Sequence, residues 1–466
     1  MSIALSPILE LFAERTPFPV MVRGLLERCL NPRQLDAWFE RVADVQYTRT
    51  LLFSSLFDLM TNVVLRQQPS VHAAYRAGEH DIGVSLTSVY NKLNGLEPPT
   101  SAALVNYAAQ QAGALIEELN AAHAPLLKGG DVRMLDGNCL GGREHRLQET
   151  RSSAAAPLPG KVLAVFDPAL GVVSAIYPSE DAYTQERALL PPVLADVQAG
   201  QLWIADRNFC TAGFLSGLVA QGAWPLIREH EGLRFTPLEP MRVIGRTDTG
   251  EVSEQWVRLG TKKEAADALR LRRIQIKLDK PTRDGEDTIY LFCTLPVEMA
   301  DAITLAQLYR TRWRIEQAFL HLTMELRCEV DTLSHPPAAI FALACAMTVY
   351  NVLAVAKAAL RSVHGDEAVE AVSGYYLAIE IGNVAESLER VIDAEDWTVF
   401  HTLSITTLAV WLCEQAQRVD LRRYRKSTRG AKKSTPKRTY DPAHPHASVA
   451  RLLARRKMKS GGRKSP

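Results

Sequence analysis

The spacing of apolar residues changes period several times along the chain. Through residues 34–66 (LDAWFERVADVQYTRTLLFSSLFDLMTNVVL) it is helical, and it is helical again at 70–78, 86–94 and about 100–122. Residues 1–126 therefore read as all-helical. From 131 short apolar runs bounded by turn residues take over. VRMLDGN (132–138), KVLAVFD (161–167), GVVSAIYP (171–178) and QLWIADRNF (201–209) read as strands, with Pro168 and Gly171 making a hairpin of the middle two. Helices at 182–197 and 211–221 and a strand near 224–228 complete an alternating α/β pattern. Over 232–296 the runs LRFTPL, MRVIGRT, SEQWVRLG, LRRIQIKLD and TIYLFCTL read as a mostly antiparallel insertion.

The helical period returns at 304–326, TLAQLYRTRWRIEQAFLHLTMEL. Leu308, Ile315, Phe319, Leu322 and Leu326 form one apolar stripe of a single long helix, and Thr304 with Gln307 matches a capping box. After His335-Pro336-Pro337 the segment 338–362 is so apolar that it must be buried. Two or three further helices run to about 420. The resulting division is 1–126, helical and a candidate DNA-binding domain; 127–230 with 297–365, an α/β domain; 231–296, the β insertion; 366–420, helices offering a dimerisation surface; and 421–466, a basic tail without a core, expected to be disordered when unbound. Within the first, a helix ending at Gly78, a turn with Gly83, and Ser85 capping LTSVYNKLNG fit a helix-turn-helix that presents Thr87, Ser88, Asn91 and Lys92. An ordinary hairpin of a helical bundle has the same pattern.

Composition narrows the class. With 47% hydrophobic and 23% charged residues the chain is an ordinary globular sequence. The absence of an unbroken apolar run of 18 residues predicts no membrane span. The N-terminus lacks a basic region before its apolar residues, and the seven cysteines are scattered without C-x-x-C spacing. Reduced thiols in a bacterial cytoplasm are expected, and a zinc site is not. The net charge of +2 conceals an asymmetry: residues 421–466 carry 16 Lys/Arg against Asp441 alone, leaving 38 basic and 51 acidic residues in the body. A basic tail on an acidic body points to a polyanionic partner, with a disordered solubilising tail as the plainer alternative.

Three acids stand out against this background. Asp136 and Asp206 end apolar strand runs, the place where sites form in open α/β sheets. Glu316 shares one side of its helix with Tyr309 and Arg312, at i, i+3 and i+7. Singly, each aspartate reads as a cap or turn residue, and Arg312–Glu316 as a surface pair. Together, three hard oxygen donors suit Mg²⁺, and a phenol with a guanidinium suits phosphate. Two such ions about 4 Å apart activate an attacking oxygen and stabilise the leaving one in displacement at phosphorus.

The stretches MLDGN, IADRNFC and YRTRWRIEQ resemble the DDE transposases of bacterial insertion sequences. They are most similar to the IS-four group, whose third-acid helix carries Tyr-x2-Arg-x3-Glu-x6-Lys. The resemblance covers about 127–365. It implies a ribonuclease-H-like α/β core with a strand-rich insertion, two divalent metal ions (Mg²⁺, with Mn²⁺ as the alternative), and a homodimer that synapses two ends of double-stranded DNA. Asp136, Asp206 and Glu316 would be the metal-binding catalytic triad, with Tyr309 and Arg312 on the DNA backbone. The signature lysine falls on Thr323, and Arg327, one turn on, is the candidate substitute. His145, Arg146 and the Glu186-Arg187 pair read as solvated surface, and Trp224, Trp256, Trp313, Cys139 and Cys210 as packing. The expected activity is that of a DNA transposase that cuts and joins DNA by phosphoryl transfer. The alternatives are a non-catalytic DNA-binding protein derived from one, or a nuclease that only hydrolyses.

Overall fold

A computed structural model describes residues 3–46, 50–260, 268–282, 284–427 and 446–461; the rest of the expected insertion and basic tail lies outside the described residues. The N-terminal segment is helical as its period predicts: α1 (Pro7–Arg15), α2 (Pro17–Cys29), α3 (Pro32–Val42), α4 (Phe53–Val64), α5 (Val71–Ala77), α6 (Glu79–Ile82), α7 (Leu86–Gly95) and α8 (Pro98–Glu118). The apolar pattern over 34–66 belongs to two helices rather than one. The Glu97 carboxylate accepts the N–H groups of Asp44, Val45 and Gln46 after α3, and Asp36 accepts the Ser54 N–H at the start of α4. These two acids satisfy orphan donors that a continuous helix would have bonded internally.

The strands are β1 (Asp131–Cys139), β2 (Lys161–Asp167), β3 (Val172–Ser179), β4 (Gln201–Ala205), β5 (Trp224–Arg228), β6 (Phe235–Pro237), β7 (Arg242–Thr247), β8 (Gly250–Leu259), β9 (Arg270–Leu278) and β10 (Thr288–Cys293). They form one sheet in the order β3-β2-β1-β4-β5-β10-β9-β8-β6, with β7 on β8. β1, β4 and β5 run parallel, while β2 and β3 are antiparallel hairpin strands on the β1 side. Helices α9 (Leu190–Asp196) and α10 (Ala212–Ala220) make the crossovers. The antiparallel strands of 231–296 are not a separate unit. Leu291, Phe292 and Cys293 of β10 pair with Arg228, Ile227 and Leu226 of β5, so the insertion extends the sheet over what would be an open edge.

The central strands are apolar on both faces and divide two cores by alternation. Val132, Met134, Leu202 and Ile204 join the larger core, which includes the N-terminal helices, α11 (Ala302–Arg310), α12 (Trp313–Glu325) and α13 (Pro336–His364). Leu135, Trp203 and Ala205 face the second core, with Val193, Phe214 and Leu218 of α9 and α10. A period of two then places Asp136 and Asp206 on the side of α11 and α12. Helix α13 is long and apolar enough to cross a membrane, but 94% of its most apolar window is buried inside the protein. Its Asn351 side chain bonds both backbone groups of Val173 on edge strand β3, accepting from N at 2.8 Å and donating to O at 2.9 Å. Replacing the fully buried Asn351 by Leu strands both groups. A loss of about 2–5 kcal/mol is expected, read as a lower urea midpoint at unchanged slope; an unmoved midpoint would show that β3 does not depend on this clamp.

Beyond α13 follow α14 (Asp366–Glu370), α15 (Gly374–Val391), α16 (Ala394–Trp397), α17 (Ile405–Arg418) and α18 (Val449–Gly461). The expectation of a wholly disordered tail therefore needs correction at 421–427 and 446–461. Buried Val449 donates its N–H to Leu158 O, Arg451 and Ser448 bond the Asp181 carboxylate, and Arg456 pairs with Glu149. Acids on the body neutralise part of the basic run and give its helix a seat.

Candidate active site

The helix expected over 304–326 is two helices. Asp301, not Thr304, is the N-cap of α11; its carboxylate accepts the Thr304 N–H at 2.7 Å. Between α11 and α12 the ladder tightens to i→i−3 bonds, Thr311 N to Leu308 O and Arg312 N to Tyr309 O, while the Thr311 hydroxyl also bonds Leu308 O. Side chains three apart eclipse in such a turn, which sets Tyr309 directly beside Arg312. Arg312 and Glu316 keep their one-turn relation across the junction. The apolar stripe holds: Leu308, Ile315, Leu322 and Leu326 are buried and pin α12 against the core.

The Arg312 guanidinium is the hub of the acidic cluster. Nη2 lies 2.5 Å from Glu316 Oε1 and Nη1 lies 3.7 Å from Asp136 Oδ2. Burial works against the Arg312 charge, yet Tyr309, Glu316, Asp206 and Asp136 around it hold its pKa above the ordinary value. Asp136 is pushed up to about 6, first by burial and then by Glu316 and Asp206, against the pull of Arg312 and the Gly137 N–H. The three acids thus converge from β1, from the residue after β4, and from the first turn of α12. Two buried donors in this corner lack partners: the Tyr309 hydroxyl and Arg312 Nε. Among the described residues no three acidic, histidine or cysteine side chains form a group that could hold a metal ion. Here a guanidinium takes the place among the carboxylates that a cation would take.

Other expected site residues are elsewhere. Lys92 is not free to meet DNA: its ammonium donates to Leu51 O at 3.1 Å and sits over the Phe39 ring, while Asn91 beside it is exposed. Thr323 is exposed and its hydroxyl turns back to Phe319 O. Arg327, the candidate substitute for the missing lysine, is engaged with the N-terminal helices in this arrangement. Its backbone N–H goes to Val64 O and its guanidinium to Pro69 O, tying α12 to the N-terminal domain. His145 bonds Thr150 O and Arg146 pairs with Glu144, local loop contacts. Trp313 is 63% exposed and Cys139 is exposed, so neither is a packing residue.

Glu186 and Arg187, read from the sequence as surface, belong to the site's support. The Glu186 carboxylate accepts from Asn208 Nδ2, and a Cβ on Gly137 would overlap it. Arg187 Nε donates to Asn208 O at 2.6 Å. One short turn, Glu186–Leu189, therefore braces the residue after Asp136 and the residue two after Asp206. Only glycine at 137 admits the brace, a signal the sequence offers solely as the Gly in MLDGN. Gly137→Ala is expected to displace the Glu186 carboxylate and misplace the two aspartates slightly, lowering strand cleavage about tenfold with DNA binding unchanged. Cleavage and gel shift on one labelled duplex check this; full cleavage by the alanine variant would assign Glu186 no positioning role.

Residues 129–352 match the family model of the transposase DDE domain. That stretch begins just before β1, ends within α13, and contains all three acids. Over 162 residues the chain is 25% identical to "Putative transposase y4zB" of Sinorhizobium fredii, a match covering 34% of this chain and 44% of that protein. A solved piggyBac transposase synaptic complex with hairpin DNA aligns over 94% of this chain and 82% of its own, at 12% identity and a TM-score of 0.39. Residues 129–352 are thus similar to a transposase DDE domain over somewhat less than half of the chain, and the match to the curated relative spans less than half of that protein's length.

Proposed function

We propose that this protein is a DNA transposase of the IS-four type that binds the ends of its insertion sequence as a homodimer and cuts and joins DNA by two-metal phosphoryl transfer. The observation that carries the reading is the convergence of Asp136, Asp206 and Glu316 on one cationic group at the carboxyl ends of parallel strands, inside the matched domain. The order β3-β2-β1-β4-β5, three antiparallel strands followed by two parallel ones, supports a ribonuclease-H-like core.

The donor set suits hard divalent ions. Asp136, Asp206 and Glu316 would hold them, and when bound they supply an activated oxygen nucleophile and charge relief at the leaving oxygen. The chain's own groups do the rest. Arg312 exchanges its carboxylate partners for oxygens of the phosphate being attacked. The unpartnered Tyr309 hydroxyl donates beside it. Exposed Thr87, Ser88 and Asn91 on α7, which Ser85 caps as expected, present a polar helix face for DNA.

A DNA-binding protein without catalysis is the second reading. It is favoured by the pairing of Arg312 with both Glu316 and Asp136, which leaves no open metal group among the described residues. The two separate on a labelled duplex taken from the DNA bordering the reading frame. A transposase nicks it at one position with Mg²⁺ or Mn²⁺ and not with EDTA; a protein that shifts the duplex but never nicks it is the binder.

A further inference from the structure

A second cationic site lies around the end of the sheet from Arg312. Lys161, Gln185, Glu186, Arg187 and Asn208 line an open cavity of about 450 Å³. Alternation fixes its side. Val162, Ala164 and Phe166 of β2 face the larger core, so Lys161 projects to the opposite face, as Gly137 does on β1. Glu186 reaches the same place from its turn and lies against Gly137. Arg312 and Glu316 therefore flank Asp136 on one face of the sheet, and the cavity flanks it on the other.

The charges in the cavity are unevenly used. Glu186 is taken up by Asn208, and Arg187 spends Nε on Asn208 O. Lys161 lines the open cavity, and its ammonium meets no carboxylate and no acceptor among the described residues. Two cations with the amides of Gln185 and Asn208 make a site for a singly charged phosphodiester. Glu186, already bonded to Asn208, disfavours a more highly charged anion.

Resting on the transposase reading above, we propose that Lys161 and Arg187 hold a backbone phosphate of the cleaved strand, next to the one attacked between Asp136 and Asp206. A strand laid over the carboxyl ends of β1 and β4 then meets Arg312 on one face of the sheet and Lys161 on the other. Its backbone is gripped on both sides of the bond that breaks. This would let the site hold a strand without the signature lysine that Thr323 replaces.

The test uses the full chain and a 30-base-pair duplex from the DNA bordering the reading frame. Affinity is measured from low to high salt for wild type, Lys161→Ala and Lys161→Arg. Loss of one phosphate contact makes the slope of log affinity against log salt about one unit shallower. Lys161→Ala is expected to show that change with affinity several-fold lower at low salt, and Lys161→Arg to restore both. A single methylphosphonate, walked across the cleavage junction, removes one phosphate charge at a time. At one position wild type should lose several-fold in affinity while Lys161→Ala loses nothing further. An unchanged slope in Lys161→Ala, or equal losses for both proteins at every position, overturns the subsite while leaving the transposase reading intact. Wild type that does not bind the duplex at all overturns both.

Discussion

Asp206→Asn and Glu316→Gln are each expected to reduce strand cleavage roughly 10³-fold or more while DNA binding survives. Both substitutions keep the size of the side chain and remove one charge. In the folded protein the three acids crowd one another, and Asp136 shows the consequence in a pKa pushed up to about 6 by burial and by its two acidic neighbours. Removing the Asp206 charge relieves that repulsion, so thermal stability of Asp206→Asn without divalent ions should hold or rise, whereas Glu316→Gln also gives up the 2.5 Å pair with Arg312. Affinity for Mg²⁺ or Mn²⁺ should fall, because a donor is gone. DNA binding rests on basic residues outside the triad and should shift by little. Nicking of the labelled duplex, its gel shift and a melting curve in EDTA report the three effects separately. Either variant nicking as fast as wild type would remove these residues from the chemistry.

Arg312→Met is expected to lower cleavage about 10²- to 10³-fold, through a different loss. The guanidinium is the nearest cation to both Asp136 and Glu316 in the free protein, and its side chain is only 14% exposed. Without it the carboxylates face one another uncompensated. The expected cost is about 1–2 kcal/mol, reduced from that of a fully buried pair because Glu316 is 39% exposed. The sign distinguishes this variant from Asp206→Asn: melting in EDTA should fall rather than rise, and Mg²⁺ should recover more stability in Arg312→Met than in wild type. Equal melting of the two proteins in EDTA would show that Arg312 is not the countercharge of the cluster.

Much of this site was legible in the chain. The apolar run before Asp206 located it just past the end of β4, whereas β1 continues past Asp136 to Cys139, where only the pairing with β4 has ended; spacing joined Tyr309, Arg312 and Glu316. Alternation along VRMLD and QLWIAD is enough to send both aspartates to one side of the sheet. The break at Thr311 was not legible, because TRWR contains neither glycine nor proline and its bonds to Leu308 and Tyr309 resemble an ordinary helix from the sequence. Glu186 was misread because its partners are 22 residues later, at Asn208, and on the distant strand β1, at Gly137. The engagement of Lys92 and Arg327 was not legible for the same reason: their carbonyl acceptors, Leu51 and Pro69, are 41 and 258 residues away. The turn signals of 231–296 specify hairpins, but nothing in them specifies that β10 docks on β5.

The tie between α12 and the N-terminal domain bears on the order in which the protein assembles. Arg66, in a left-handed backbone conformation at φ 62°, donates to Thr323, Met324 and Leu326 carbonyls at the end of α12, and Arg327 returns bonds to Val64 and Pro69. The Arg66 contacts alone bridge 257–260 positions. Closing so long a loop costs entropy before any bond repays it, so contacts of this kind form late. During synthesis the N-terminal helices emerge first and have no partner for the end of α4 until α12 has left the ribosome. The segment that carries Glu316 is thus among the last to find its place. Until it does, Asp136 and Asp206 stand on a sheet that lacks both Glu316 and the Arg312 guanidinium.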